Sequence, residues 1–170
     1  MKVTAAQGLA RILKTEGIPW VSTYPTCNVN NTLVEEGIPL IMMREERYAV
    51  ALADAFSRIT NGKQVGVCTV MGSLNPAGLQ MAYGALAQAY EDGSPVLCIT
   101  DGLPAGASSF PLYDISSGFR SVTNVSFGSD LDGRRDPIDM AGDEMAAQFS
   151  TGGELRRRAE DGSRQRRADG

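Results

Sequence analysis

A doubly wound α/β fold, with a parallel sheet covered by helices on both faces, is the class this sequence predicts. Three observations predict it. Helix-period and strand-like segments alternate through residues 1–127. The strand-like segments are short apolar runs, as in strands buried on both faces. The helical segments between them suit right-handed crossovers.

Residues 4–16 place Ala5, Leu9, Ile12 and Leu13 on one face at helical spacing, and Gly17 stops that helix. Residues 20–24 read as a short strand broken by Pro25. A short helix follows over 28–36, opening after Asn28 and closed by Gly37. Residues 39–43 are a near-continuous apolar run, expected to be a strand covered on both faces. Residues 45–60 form a strong helix, and 65–70 another buried strand. A turn over 71–76 leads into a helix at 77–91, and 95–100 is the fourth strand.

Composition divides the chain near residue 127. Of the 16 basic and 20 acidic residues, half lie in residues 128–170, where the only large apolar side chains apart from methionine are Leu131, Ile138, Phe149 and Leu155. So little apolar surface does not offset the entropy of ordering, so 128–170 is expected to be a low-order charged tail. Short helices are expected around 140–149 and 153–160. The arginine clusters at 156–158 and 166–167 are interleaved with acids, which favours a solvated polyampholyte over a nucleic-acid arm.

Several chemistries are excluded. Histidine is absent, which removes histidine-based nucleophilic catalysis and histidine metal sites within this chain. The three cysteines, Cys27, Cys68 and Cys98, show no CxxC spacing, so neither a disulfide framework nor a zinc site is expected. Cys68 and Cys98 fall inside strand patterns and read as buried small hydrophobes. Cys27 follows the first strand in a loop, and without a histidine partner it makes a poor nucleophile. A net charge of −4 gives no global sign of nucleic-acid binding. No apolar run is long enough to span a membrane, and the first residues lack a secretory pattern, so a cytoplasmic location is expected.

In open α/β sheets, ligands collect beyond the carboxyl ends of the strands. The informative positions are therefore 24–28, 44–47, 71–76 and 101–104. Arg44-Glu45-Glu46-Arg47 puts two carboxylates at a helix start, where the helix dipole alone accounts for them. Met71-Gly72-Ser73-Leu74-Asn75-Pro76-Ala77-Gly78 is a small-residue loop before a helix and can cradle an anion. It lacks the lysine of a phosphate loop and is not GxGxxG, so a nicotinamide cofactor is poorly supported.

Taken together these stretches resemble a family. The run from Arg44 through Tyr48, Ala53 and Asp54 to Arg58, followed by Gly62 and Gly66-Val67-Cys68, is similar to the N-terminal pyrimidine-binding domain of thiamine diphosphate enzymes, nearest the acetolactate synthase-like branch. The later stretch, Gly84 to Asp92 with Ser94 to Thr100, resembles the same family's next helix and strand. The likeness covers roughly residues 3–125 and implies a flavodoxin-like sheet.

The resemblance implies that Glu46 is the functional carboxyl, with Glu45 the adjacent alternative. The family's glutamate stands eight residues before the Asp of Ala-Asp, as Glu46 stands before Asp54. In the family that carboxyl bonds the aminopyrimidine ring and promotes loss of the thiazolium proton. Pro25 and Thr26 would lie beside the pyrimidine, and Gly72, Ser73 and Asn75 would line the following loop. The family's Gly-Gly after Pro25 is replaced by Thr26-Cys27, and its Gly-Gln after the fourth strand by Asp101-Gly102.

The family holds the diphosphate and Mg²⁺ in a second domain through Gly-Asp-Gly and a later Asn, which this chain does not show in the right context. Thiamine diphosphate is thus the expected cofactor, with Mg²⁺ only through a partner diphosphate-binding domain, on another chain or in a homodimer. The complete enzyme would act on a 2-oxo acid by decarboxylation or carboligation. The chain would be the pyrimidine subunit of a two-chain enzyme, or a truncated product whose tail is unrelated sequence. Other readings are a non-catalytic partner or regulatory subunit that keeps only the pairing surface, and an unrelated doubly wound small-ligand binder.

Overall fold

The computed structural model describes residues 4–25, 27–72, 77–101, 118–123, 125–127 and 145–150. In chain order the elements are α1 (Ala5–Thr15), β1 (Val21–Thr23), α2 (Val29–Glu35), β2 (Leu40–Met42), α3 (Glu46–Ile59), β3 (Gly66–Val70), α4 (Ala77–Glu91), β4 (Val96–Asp101), β5 (Val125–Phe127) and β6 (Met145–Ser150). One sheet runs in the order β2-β1-β3-β4-β6-β5. The first four strands are mutually parallel, and β6 runs antiparallel to both β4 and β5.

Two hydrophobic clusters flank the sheet. One gathers Ala10, Leu13, Val29, Leu33 and Ile38 from the α1–α2 side with Val21, Val67 and Ile99 from the strands. The other gathers Ala49, Val50, Leu79 and Leu86 from the α3–α4 side with Cys68, Val70 and Cys98, and is completed by Phe119 and Val122. Phe119 is fully buried and meets the Tyr83 ring edge-on at 5.2 Å. Apolar residues of β1, β3 and β4 therefore face a helix layer on either side, which is why their sequences read as short apolar runs.

Local signals explain most boundaries. Helix α1 opens at a capping box in which Thr4 Oγ1 accepts from Gln7 N–H at 3.2 Å and Gln7 Oε1 accepts from Thr4 N–H at 3.0 Å. Gly17 and Gly37 end their helices in left-handed conformations, with φ of 74° and 84°. Helix α3 is pressed onto β3 at Gly66, where a Cβ would collide with the Ala53 carbonyl. Ser22 on β1 donates to Ala49 O at 2.5 Å and ties the same helix to the neighbouring strand.

Three expectations are corrected. The buried face of α1 is Ala5, Ala10 and Leu13, while Ile12 is 59% exposed. Ile12 sits about 100° around the helix from Leu13 and falls off the contact stripe. Strand β2 is not covered on both faces: it is the sheet edge beyond β1, with Ile41 and Met42 exposed. Residues 145–150, within the segment expected to be a short helix, form β6, because pairing along the whole of β4 satisfies their backbone. The rest of the expected low-order tail lies outside the described residues.

Candidate functional site

Sheet order locates the site. The chain leaves β1 toward β2 on one side, then crosses back through α3 to β3 on the other. The carboxyl ends of β1 and β3 are therefore the topological switch point, where the connections diverge and where ligands bind in open α/β sheets.

Glu46 is the first residue of α3, just past the end of β2. The helix starts there because Glu45 is extended (φ −148°, ψ 153°) and its carbonyl accepts from Tyr48 and Ala49 N–H. Glu46 is only 5% exposed, whereas Glu45 is half-buried. The Glu46 carboxylate takes part in none of the ion pairs among the described residues. A carboxylate at so low an exposure is costly unless polar groups meet it.

Its neighbour is the first turn of α4. A Cβ at Gly78 would collide with Glu46 Oε1, and would lie 2.8 Å from the Met71 carbonyl oxygen. The carboxyl thus rests directly against the Gly78 backbone, at the positive end of the α4 dipole. Glycine at the second position of α4 leaves the room that the Glu46 side chain occupies.

On the other side of the switch point lies a closed polar network. Asn30, in the first turn of α2, sends Nδ2–H to Thr23 Oγ1 at 2.8 Å and to Tyr24 O at 3.2 Å. Thr69 Oγ1 on β3 lies 2.7 Å from Asn30 Oδ1 and 2.5 Å from Thr23 Oγ1. Thr23, Asn30 and Thr69 are all buried. Backbone bonds extend the stitching: Tyr24 N donates to Thr69 O at 3.1 Å and Met43 N to Thr23 O at 2.8 Å, so the ends of β1, β2 and β3 form one rigid rim.

The other expected site residues fare unequally. Pro25 is exposed in the turn after β1 and Gly72 is buried after β3. Thr26, Ser73 and Asn75 lie outside the described residues. Cys27 is buried in the α1–α2 cluster. Cys68 and Cys98 are register partners on β3 and β4 and fully buried, and desolvation together with the adjacent Cys98 thiol pushes Cys68 well above the ordinary thiol range. Asp54 is not at the rim: it pairs with Arg58 at 2.9 Å, and Arg58 also reaches Asp92 at 2.6 Å, fastening the end of α3 to the turn after α4. No group of metal-ligating side chains occurs among the described residues, and no helix among them is long and apolar enough to cross a membrane.

Sequence reasoning missed Asn30 and Gly78. Asn30 had a signal: a polar residue one position from Val29, on the inward face of a short helix. Gly78 closed the small-residue stretch 71–78, but nothing in the sequence set it against Glu46.

The fold defines the class: a doubly wound α/β domain with its topological switch point between β1 and β3. Comparison with known proteins narrows this. The chain belongs to the family described as "Thiamine pyrophosphate enzyme, N-terminal TPP binding domain", which matches residues 3–123. It is 27% identical over 128 residues to a probable acetolactate synthase large subunit from Methanocaldococcus jannaschii, covering 72% of this chain and 21% of that protein. The chain spans about a fifth of the length of that curated relative.

Proposed function

We propose that this chain binds thiamine diphosphate through its aminopyrimidine ring, with Glu46 as the partner of a ring nitrogen. The observation that carries the reading is the Glu46 carboxylate, 5% exposed just past the strand ends and set against the Gly78 backbone. A heterocycle with a ring nitrogen and an exocyclic amine offers such a carboxylate a complementary hydrogen-bonding edge. Pro25 and Gly72 stand at the ends of the neighbouring strands, and the expected contacts of Thr26, Ser73 and Asn75 belong to the same reading.

The cofactor, when bound, supplies a nucleophilic carbon for addition to the carbonyl of a 2-oxo acid. Glu46 holds or releases a proton at the ring nitrogen and fixes the ring's orientation. The α3 backbone, fastened by Ser22 and by the Gly66–Ala53 contact, keeps that carboxyl from drifting, as a positioned acid–base group requires. The diphosphate and Mg²⁺ are assigned to a partner domain, on another chain or in a homodimer. The assembled enzyme would carry out carboligation or decarboxylation in the acetolactate synthase manner.

Calorimetric titration with thiamine diphosphate and Mg²⁺ tests this, with and without a diphosphate-binding domain from a relative. The wild-type chain should bind weakly alone and more tightly in the complex. Glu46→Gln should lower affinity about tenfold to a hundredfold, the worth of a hydrogen bond to a charged group. Equal affinity for both would refute the role of Glu46. Binding of the partner domain without any cofactor binding would establish the non-catalytic reading.

A further inference from the structure

Among the described residues, buried side-chain hydrogen bonds gather at opposite ends of the sheet, around Ser57 and around Asn30. At the amino end of β3, Ser57 Oγ donates to Pro95 O at 2.6 Å and accepts from Gly66 N at 2.7 Å. At the carboxyl end, Asn30 joins Thr23, Tyr24 and Thr69. Both hubs hold strands together, but they differ in what they face. The Ser57 hub lies far along the strands from Glu46. The Asn30 hub lies at the β1/β3 switch point, beneath the turn that carries Pro25 and Cys27.

We propose that Asn30 is a positioning residue for the cofactor crevice: its carboxamide locks the turn after β1 onto the end of β3. This rests on the aminopyrimidine reading above and extends it to a residue that would not touch the ligand. Tyr24 O can only accept a hydrogen bond, so the amide nitrogen must face it and the amide oxygen must face Thr69. One side chain thereby joins the carbonyl that begins the turn, the hydroxyl that ends β1 and the hydroxyl near the end of β3, and Thr23 Oγ1 reinforces it by donating to the same Tyr24 carbonyl at 2.8 Å. The backbone bond from Asn30 N to Cys27 O, 3.1 Å, closes the turn from its other end. Asn30 thus bonds to Tyr24 and Cys27 on either side of the turn, and a crevice wall that starts from these fixed points is preorganised before any ligand arrives.

A purely structural role predicts that losing Asn30 resembles losing Ser57. A positioning role predicts more. The test uses the full chain and the variants Asn30→Ala, Asn30→Asp and Ser57→Ala, well below their melting temperatures. Asn30→Asp keeps the size of the side chain but turns an oxygen toward Tyr24 O, so it addresses the case in which Asn30→Ala does not fold. Two readouts are taken: affinity for thiamine diphosphate with Mg²⁺, and the rate at which Cys27 reacts with Ellman's reagent, assigned by peptide mapping. Cys27 is 4% exposed in this turn, while Cys68 and Cys98 lie inside strands.

The Asn30 variants should bind about tenfold more weakly than Ser57→Ala, corresponding to one or two lost hydrogen bonds at the crevice. Cys27 should react about tenfold faster in them, and no faster in Ser57→Ala. If the Asn30 variants match Ser57→Ala in both affinity and thiol rate, the positioning role is wrong. If Glu46→Gln binds like wild type, the aminopyrimidine reading fails instead, and the thiol rates still decide whether Asn30 locks the turn.

Discussion

Gly78→Ala and Gly84→Ala add the same methyl group to the same helix and should move stability in opposite directions. A Cβ at Gly84 meets nothing within 4 Å, so only the helix propensity changes. Alanine is favoured over glycine in a helix interior by about 0.8–1 kcal/mol, so Gly84→Ala should stabilise by about that much. At Gly78 the methyl would meet Glu46 Oε1, the Met71 carbonyl oxygen at 2.8 Å and Met71 Cβ at 3.0 Å. Backbone atoms yield only by moving the loop, and overpacking of this kind costs about 1–3 kcal/mol. The propensity gain is smaller in a first turn, so Gly78→Ala should destabilise by about 1–2 kcal/mol. In a domain of this size that lowers the melting temperature by about 3–6 °C, against a rise of about 3 °C for Gly84→Ala. Thermal and urea unfolding followed by circular dichroism measures both. In a Glu46→Ala background one of the three collisions disappears, and the Gly78→Ala penalty should fall by about 1 kcal/mol, a coupling read from the double-mutant cycle. If both glycine variants stabilise, or the penalty is the same with and without the Glu46 side chain, the contact between Gly78 and Glu46 is not as described.

Ser57→Ala should destabilise by about 2 kcal/mol, because Gly66 N–H and Pro95 C=O lose a buried partner; urea midpoints measure it, and a change below about 0.5 kcal/mol would refute it. Gly66→Ala should cost more, about 3 kcal/mol, since its Cβ would enter the Ala53 peptide group; an unchanged melting temperature would show that α3 does not press on β3 there. The raised Cys68 thiol keeps its proton in the folded state where the unfolded chain releases it. Its contribution is therefore complete below the unfolded thiol range and lost as pH rises above about 8.5. Urea unfolding near neutrality and in alkali should show stability falling with pH, and Cys68→Ala should flatten that fall; parallel profiles would refute it. Arg58→Ala should cost no more than about 1 kcal/mol, and less at high salt, because the pairs to Asp54 and Asp92 are largely exposed on the arginine side.

How far the sequence could be read depended on the range of the forces involved. Helix α3 was legible in full: its periodicity, its acidic start and its basic last turn are all local. Glu46 stood out by resemblance, but nothing local separated it from Glu45; burial against α4 does. The run at 39–43 reads as a central strand, and its composition is that of one. It became an edge because the chain crosses back over β1 after β2, a choice of partner that a three-residue strand does not encode. Residues 145–150 carry helix-forming Met, Ala and Gln, yet pair along β4, where nonlocal backbone bonds outweigh weak propensity.

Up to β4 the amino-acid order alone settled the alternation of helices and strands and the presence of a carboxylate just past a strand, because periodicity and capping act over a few residues. Only the folded molecule decided which faces are covered, which strand is the edge, and that Thr23 and Thr69, 46 positions apart, close on Asn30 at the same rim that holds Glu46. Burial and side-chain hydrogen bonding are pairings between distant positions, and a linear pattern specifies that a side chain needs a partner without specifying which one it meets.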